Sequence, residues 1–350
     1  MSDADISPGQ TWRVDSFRPE DAEGVCSLFR SVYGEDYPIK TYVRPEELIS
    51  ENKAGRVISS VARTENGDIV GHNALFHSSP SELVLESGSG VVHKAYRRGN
   101  IFVHLVAHGQ GLAKEEIQAA AIWGEPVLNH DFSQKMCRSL DWRSFALEVD
   151  LMPAAAYSKE GSAPGRVSTL MDFLILNPRP HHVLLPQAYE DQLQTLYRYL
   201  PAKRDLSPVD PDFNPQQSSR IQSRIFPFAQ TVRTAVHQVG KDFQQHFKHK
   251  ELEAMDRGTE VFQTWLRLTD PGVGRAVDYL RSQGYFFGGL LPRWFDDDGL
   301  LMQKTLTRPG WQSMRIAFDQ GRMVADMVEE DWNLLKSRLE NGREEWTEKG

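Results

Sequence analysis

The stretch that most constrains this chain runs from Leu83 to Leu105, LVLESGSGVVHKAYRRGNIFVHL. Leu83 to His93 is a run of apolar and small residues that reads as a strand. Lys94 to Asn100 forms a short basic bend, and Ile101, Phe102 and Leu105 then resume with helical spacing. A strand that feeds a tight bend opening a helix turns several unpaired backbone N–H groups toward one point, and the helix dipole adds partial positive charge there. Such a bend is a ready anion cradle. Arg97 and Arg98 beside it suit a pyrophosphate better than a lone carboxylate.

The elements around this stretch fall into a definite order. Trp12 to Phe17 alternates as a strand, and Val25, Leu28, Phe29 and Val32 share one helix face that Gly34 ends. Arg44-Pro45-Glu46-Glu47 opens a second helix, closed by Gly55. Val57 to Ala62 and Ile69 to Phe76 are strands around Asn66-Gly67, a strong hairpin signal. After the basic bend come a helix to about Gln118, a buried strand Ala119 to Trp123, a short helix at Ser133 to Leu140 and a strand Phe145 to Met152.

Val92 to Phe102 resembles the acyl-CoA-binding motif of the GNAT N-acetyltransferases. That motif passes from a strand through Gln or Arg, two variable residues, Gly, one variable residue and Gly or Ala into a helix. Arg97 stands at the first position and Asn100 at the first glycine, with Gly99 one place early, and Phe102 replaces the second small residue. Asn tolerates left-handed backbone angles, so the bend stays open to it. The order of elements is similar too, and agreement at two levels counts for more than either alone.

The resemblance implies a layered α/β (α+β) fold with a mixed, mostly antiparallel central sheet, and acetyl-CoA (coenzyme A) as cofactor. Arg97, Arg98, Gly99, Asn100 and Ile101 would hold the pyrophosphate. The strand at Gly90, Val91, Val92 and His93 would pair with the pantetheine, which lies in the gap beside the strand at 119–123. Glu86, before Ser87-Gly88-Ser89-Gly90, is the candidate base for an attacking amine. Counting back from Asp141-Trp142, which take the place of the family's Gly-Phe, puts Cys137 where a tyrosine acid is usual. His130 and Ser133 fall where the family tends to have Asn and Ala; His130 could relay a proton or touch the pantetheine, or cap the next helix.

Pro153 to Gly165 has a linker's composition. The resemblance implies a GNAT domain at 1–155 and, beyond this linker, a second, degenerate GNAT-like lobe at 166–340, with an unrelated α/β cap as the alternative. In that lobe Val277 to Trp294, VDYLRSQGYFFGGLLPRW, resembles the last helix–strand pair of the family. Strands are expected at Thr169–Leu176, Val183–Leu185, Thr231–Val239 and Val261–Leu268, with a hairpin, Tyr285–Leu291 and Leu300–Leu306, over Asp296 to Gly299. Pro201 to Ser219 reads as a long surface loop, and Met323 to Leu339 as a closing helix.

The net charge of −8 over 350 residues argues against a broad nucleic-acid surface. Two cysteines, Cys26 and Cys137, cannot build a disulfide framework. No apolar run approaches the roughly 20 residues that span a bilayer. The polar start MSDADISPGQ lacks a secretion signal's character, so a cytoplasmic chain with no membrane partner is expected. His104 and His108 have the spacing of a helical metal pair but no third ligand, so no metal is expected. These readings converge on transfer of an acetyl group from acetyl-CoA to an amine of a small molecule or protein. The alternative is a non-catalytic acyl-CoA sensor or interaction module, and a homodimer remains compatible with either.

Overall fold

The computed structural model describes residues 6–35, 37, 39–157 and 165–347, with 339–347 by backbone alone. The chain divides into two compact units: Met1–Gly124 with Arg138–Asp141, and Glu125–Cys137 with Trp142–Gly350.

The first unit contains β1 (Trp12–Ser16), α1 (Ala22–Tyr33), α2 (Pro45–Lys53), β2 (Val57–Thr64), β3 (Ile69–Phe76), β4 (Val84–Val92), α3 (Ile101–Glu115) and β5 (Ala121–Gly124). Its strands lie in chain order, antiparallel from β1 to β4, with β5 parallel to β4. The punctuation is where the sequence puts it: Gly34, Gly55 and Gly67 have φ of +88°, +69° and +88°, backbone that only glycine adopts without strain. One face of α1 buries Val25, Leu28 and Phe29 with Leu48 of α2 against β2 and β3. Full burial of a ring like Phe29 is worth about 1.5–3 kcal/mol. The helix α3 covers Ala62 and Val70 with Ile101 and Leu105.

The second unit contains α4 (Phe132–Ser139), β6 (Arg143–Met152), β7 (Val167–Ile175), β8 (His182–Leu185), α5 (Glu190–Tyr197), β9 (Asp205–Pro208), β10 (Arg220–Phe226), β11 (Thr231–Gln238), α6 (Phe243–Asp256), β12 (Val261–Arg267), α7 (Val273–Ser282), β13 (Phe286–Leu291), β14 (Gly299–Thr305) and α8 (Asp319–Thr347). Its main strands run β7-β6-β13-β14-β12-β11-β10, and β8 pairs with β9 apart from them.

The second half repeats the logic of the first. β10 and β11 are antiparallel like β3 and β4, α6 leads to the parallel neighbour β12 as α3 leads to β5, and α7 then precedes an antiparallel hairpin as α4 precedes β6 and β7. The expected mixed, mostly antiparallel sheet is present, and the second half follows the element order of the first. Some expectations change. Residues 201–219 are not all loop, since β9 pairs in parallel with β8. The strand β10 was not anticipated at all. The helix α3 stops at Glu115, and Gln118 beyond it has a φ of +57°. Of the expected linker, residues 158–164 lie outside the described residues, as does the end of the chain from 348.

Candidate functional site

The strand β4 carries the site, and its two edges differ. Toward β3 it pairs Glu86 with Phe76, Ser87 with Leu75 and Gly88 with Ala74, then resumes with Val91 opposite His72 and Val92 opposite Gly71. Ser89 and Gly90 bulge out between these stretches, and Ser89 has a φ of +51°. Toward β5 the strand pairs only at Val84–Ala121, Leu85–Ile122 and Glu86–Trp123. Beyond Glu86 the two parallel strands part. Among the described residues no strand pairs with that edge from Ser87 to Val92, which leaves a row of backbone donors and acceptors for a bound molecule.

The unpaired edge ends at the basic bend. A turn over Lys94–Tyr96 follows β4, with His93 N–H donating to Val70 O at 2.9 Å and the Tyr96 hydroxyl donating to Ser7 O at 2.6 Å. Arg97, Arg98, Gly99 and Asn100 are exposed, and Arg97 Nε donates to Val92 O at 3.2 Å. Asn100 is the N-cap of α3 and makes no side-chain cap hydrogen bond, so its side chain takes none of the orphan N–H groups of the first turn. The bend makes no use of Asn's tolerance for left-handed angles. Asn100 has a φ of −99° and ordinary right-handed turns do the work. Phe102, in place of the motif's small residue, packs where Gly90 leaves room for it.

The bulge is held from behind by a buried chain of hydrogen bonds. His72, fully buried on β3, bonds Ser89 O through Nδ1 at 3.0 Å and Ser59 Oγ through Nε2 at 3.0 Å. Asn52 of α2 bonds both the Ser59 backbone N–H and its hydroxyl. Burial pushes the His72 imidazole down to about 4, so the ring is neutral, with Nδ1–H donating to the Ser89 carbonyl. Tyr42 stacks on Phe29 at 4.8 Å, packs edge-on to His72 at 5.3 Å, and shares a hydrogen bond with the Ser89 side chain. Burial raises the Tyr42 phenol to about 12. Neither His72, Ser89 nor Tyr42 was singled out from the sequence; the Ser87–Gly90 run of alternating small residues was the available signal for a bulge.

Glu86 is half-buried and stands at the fork, the last residue of β4 paired with β5. Cys137 of α4 is 2% exposed, its thiol hydrogen-bonds to Asp172 of β7, and burial together with the Asp172 charge pushes its pKa well up. Asp172 also accepts from Ser144 Oγ at 2.6 Å and is raised by burial to about 6. The Cys137 proton is therefore committed to a buried carboxylate, a packing arrangement and a poor acid for substrate. His130 Nδ1 and Ser133 Oγ, three residues apart at the start of α4, are buried atoms with no hydrogen-bond partner among the described residues. Asp141 has a φ of +64°, which accounts for the usual glycine at that place.

His104 and His108 do not converge: His104 Nδ1 bonds Asn100 O and His108 Nδ1 bonds Ser60 Oγ. Among the described residues no group of three or more His, Cys, Asp or Glu side chains is arranged to hold a metal ion, and no helix is long and apolar enough to cross a membrane.

The second half has the same parts with the openings closed. β11 and β12 pair without a break from Thr231–Val261 to Val236–Leu266. The N-terminus of α6 is filled by the chain itself: Asp242 accepts from Ser219 N–H at 2.7 Å, Gly240 N–H donates to Ser219 Oγ, and Lys241 N–H donates to Gln217 O. A Cβ on Gly240 would lie 2.3 Å from the Ser218–Ser219 backbone. An acid and a loop occupy what is an open basic cradle in the first half.

No family model and no curated protein matches the chain. Among solved structures it is similar to an N-acetyltransferase from Staphylococcus aureus Mu50, with 12% identity over 48% of this chain and 99% of that one and a TM-score of 0.39. It is similar to the ribosomal-protein-S18-alanine N-acetyltransferase of Escherichia coli, with 13% identity over 48% and 96% and a TM-score of 0.38. A third is an aminoglycoside 6'-N-acetyltransferase complexed with coenzyme A, at 14% identity over 48% and 99%, with a TM-score of 0.36.

Proposed function

We propose that the chain is an acyl-CoA-dependent N-acyltransferase whose donor site lies on β4 in its first half. The observation that carries this reading is the edge of β4 from Ser87 to Val92, unpaired on one side and ending at an uncapped, doubly basic helix start. Pantetheine is a chain of amides, and an open strand edge satisfies such groups as a neighbouring strand would. Arg97, Arg98 and the bend at Gly99, Asn100 and Ile101 hold the pyrophosphate, and the backbone of Val91 to His93 pairs with the arm. Bound acetyl-CoA supplies the activated acyl group; the rest of the chemistry falls to the protein.

On this reading the acyl group lies by the bulge, next to Glu86. The neutral amine attacks, and Glu86 takes the proton that its nitrogen gives up, directly or through a water, as the C–N bond forms. His130 and Ser133 are further candidate cofactor contacts, since their buried polar atoms lack hydrogen-bond partners among the described residues. Domain limits of 1–155 and 166–340 go with this proposal, with one working donor site and a second lobe of the same ancestry that has lost its own. The acceptor is an amine of a small molecule or a protein.

Calorimetric titration with acetyl-CoA, CoA and, as a control, NAD tests the reading. Saturable binding of the first two and none of NAD is expected, and the Arg97→Ala/Arg98→Ala double variant should bind about tenfold or more weakly. Unchanged affinity in that variant would remove the cradle assignment. Turnover with a panel of amines separates an enzyme from an acyl-CoA sensor.

A further inference from the structure

Glu86 of β4 stands opposite Phe76 of β3, and the next pair on the same face is Gly88 opposite Ala74. That face is the one α1 and α2 cover, since Phe76 and Ala74 pack into the cluster of Phe29, Tyr42 and Leu48. Position 88 carries no side chain, and two neighbours use the space. A Cβ there would lie 3.2 Å from Glu86 Oε1 and 3.1 Å from Phe76 Cζ. The carboxylate therefore leans forward over Gly88, toward the stretch where β4 has lost its pairing with β5. Phe76 brings Cζ and Cε1, the far edge of its ring, to the same place. An aromatic edge carries the positive end of the ring quadrupole, so it attracts a carboxylate that the ring face would repel. Glu86, Phe76 and Gly88 are each half-buried, which leaves the pair in reach of a substrate.

We infer that Phe76 is a positioning residue for the base: its ring edge holds the Glu86 carboxylate forward over the bare backbone of Gly88. This rests on the reading of Glu86 as base given above. Residues 86 and 88 lie about 6–7 Å apart along the strand at ~3.3 Å per residue. The lean carries the carboxylate from the last pair with β5 onto the open edge, where the acyl group of the bound thioester lies on that reading. A general base acts only within hydrogen-bond reach of the proton it takes, so a carboxylate turned back along the strand would be out of place. Gly88 does not have a positive φ, so space and not backbone angle calls for glycine there.

The test follows Glu86 itself. In the full chain carrying isotope-labelled glutamate, the Glu86 side-chain signal is the one that Glu86→Gln removes. Phe76→Leu should shift that signal, because the ring current goes with the ring. Gly88→Ala leaves Phe76 and the backbone as they are, and its methyl should push the carboxylate back. With acetyl-CoA and the amine panel, each variant should lose about tenfold or more in kcat while acetyl-CoA affinity stays within about threefold. That retained affinity also shows that the variants are folded. An unmoved Glu86 signal in Phe76→Leu, or wild-type kcat in both variants, would overturn this inference alone. A wild type that acetylates no amine of the panel would overturn the base reading and this one with it.

Discussion

Gly90 of β4 faces Phe102 of α3 so closely that a Cβ at position 90 would lie 2.3 Å from Phe102 Cε2. The bulky residue in the place of the motif's second small one is thus matched by a missing side chain across from it. Gly90→Ala should cost about 1–3 kcal/mol through overpacking. Phe102→Ala added to it should recover part of that loss, because the clash needs both side chains. Urea denaturation of the two single variants and the double measures the coupling, and strict additivity would mean the contact is relieved by other movements.

His72 makes the fold sensitive to acid. Its imidazole is neutral in the folded chain, pushed to about 4 by burial, against about 6.5 when exposed in the unfolded chain. Between these values the unfolded chain binds more protons. The contribution is therefore whole above pH 6.5 and is lost as pH falls toward 4, by up to about 3 kcal/mol. Urea midpoints at pH 7.5 and pH 5 should show this loss, and His72→Gln should flatten that part of the profile. A wild-type profile already flat in this range would rule out a neutral, buried His72.

Coenzyme A should bind with one site per chain despite the repeated fold. The second half has β11 and β12 paired over six residue pairs and Asp242 with Ser219 across the start of α6. A pyrophosphate there would meet a carboxylate in place of two arginines. Calorimetric titration should return a stoichiometry of one, and the Arg97→Ala/Arg98→Ala variant should lose that single site. A second site surviving in the double variant would place binding outside the cradle.

The parts that were legible in the sequence are those with a local cause. The hairpin at Asn66-Gly67, the stops at Gly34 and Gly55, and the basic bend each follow from a few neighbouring residues. The parting of β4 from β5 does not, because it depends on where two strands 30 or more residues apart stop pairing, and no local pattern encodes that. β10 was missed because Arg220-Ile221-Gln222-Ser223-Arg224 is a polar, charged run, which is how an edge strand is protected from further pairing. Ser89 was passed over because serine does not announce a left-handed residue as glycine does, and the support of Tyr42 and His72 comes from distant segments. Cys137 was placed by counting from Asp141-Trp142, and counting does not reveal the carboxylate of Asp172 beside it.

Glu86→Gln should separate binding from chemistry. Glutamine keeps the size of the side chain and removes its basicity, so acetyl-CoA affinity should stay within about threefold while kcat falls by about 10²–10⁴. With a cationic acceptor the loss should shrink as pH rises and the free amine becomes available. Turnover of Glu86→Gln equal to the wild type at neutral pH would assign the base elsewhere.

A final consequence concerns Glu148 of β6, fully buried in the second half. Arg233 of β11 bonds it at 2.9 Å and Glu125 at 2.5 Å, while Thr169 Oγ1 donates to its other oxygen at 3.1 Å. One guanidinium serves two carboxylates. Burial singles out Glu148, whose pKa is raised to about 8 with the nearby Glu125 charge adding to the rise. A carboxyl raised above its unfolded value stabilises the fold fully below the unfolded pKa of about 4.5 and loses that contribution as pH rises through 8. Glu148→Gln mimics the protonated acid at every pH. It should change stability by less than about 1 kcal/mol at pH 7 and be more stable than the wild type at pH 9. Arg233→Met, which strands Glu125 and Glu148 together, should cost about 3–5 kcal/mol at pH 7. If Glu148→Gln instead lost several kcal/mol at neutral pH, Glu148 would be ionised there.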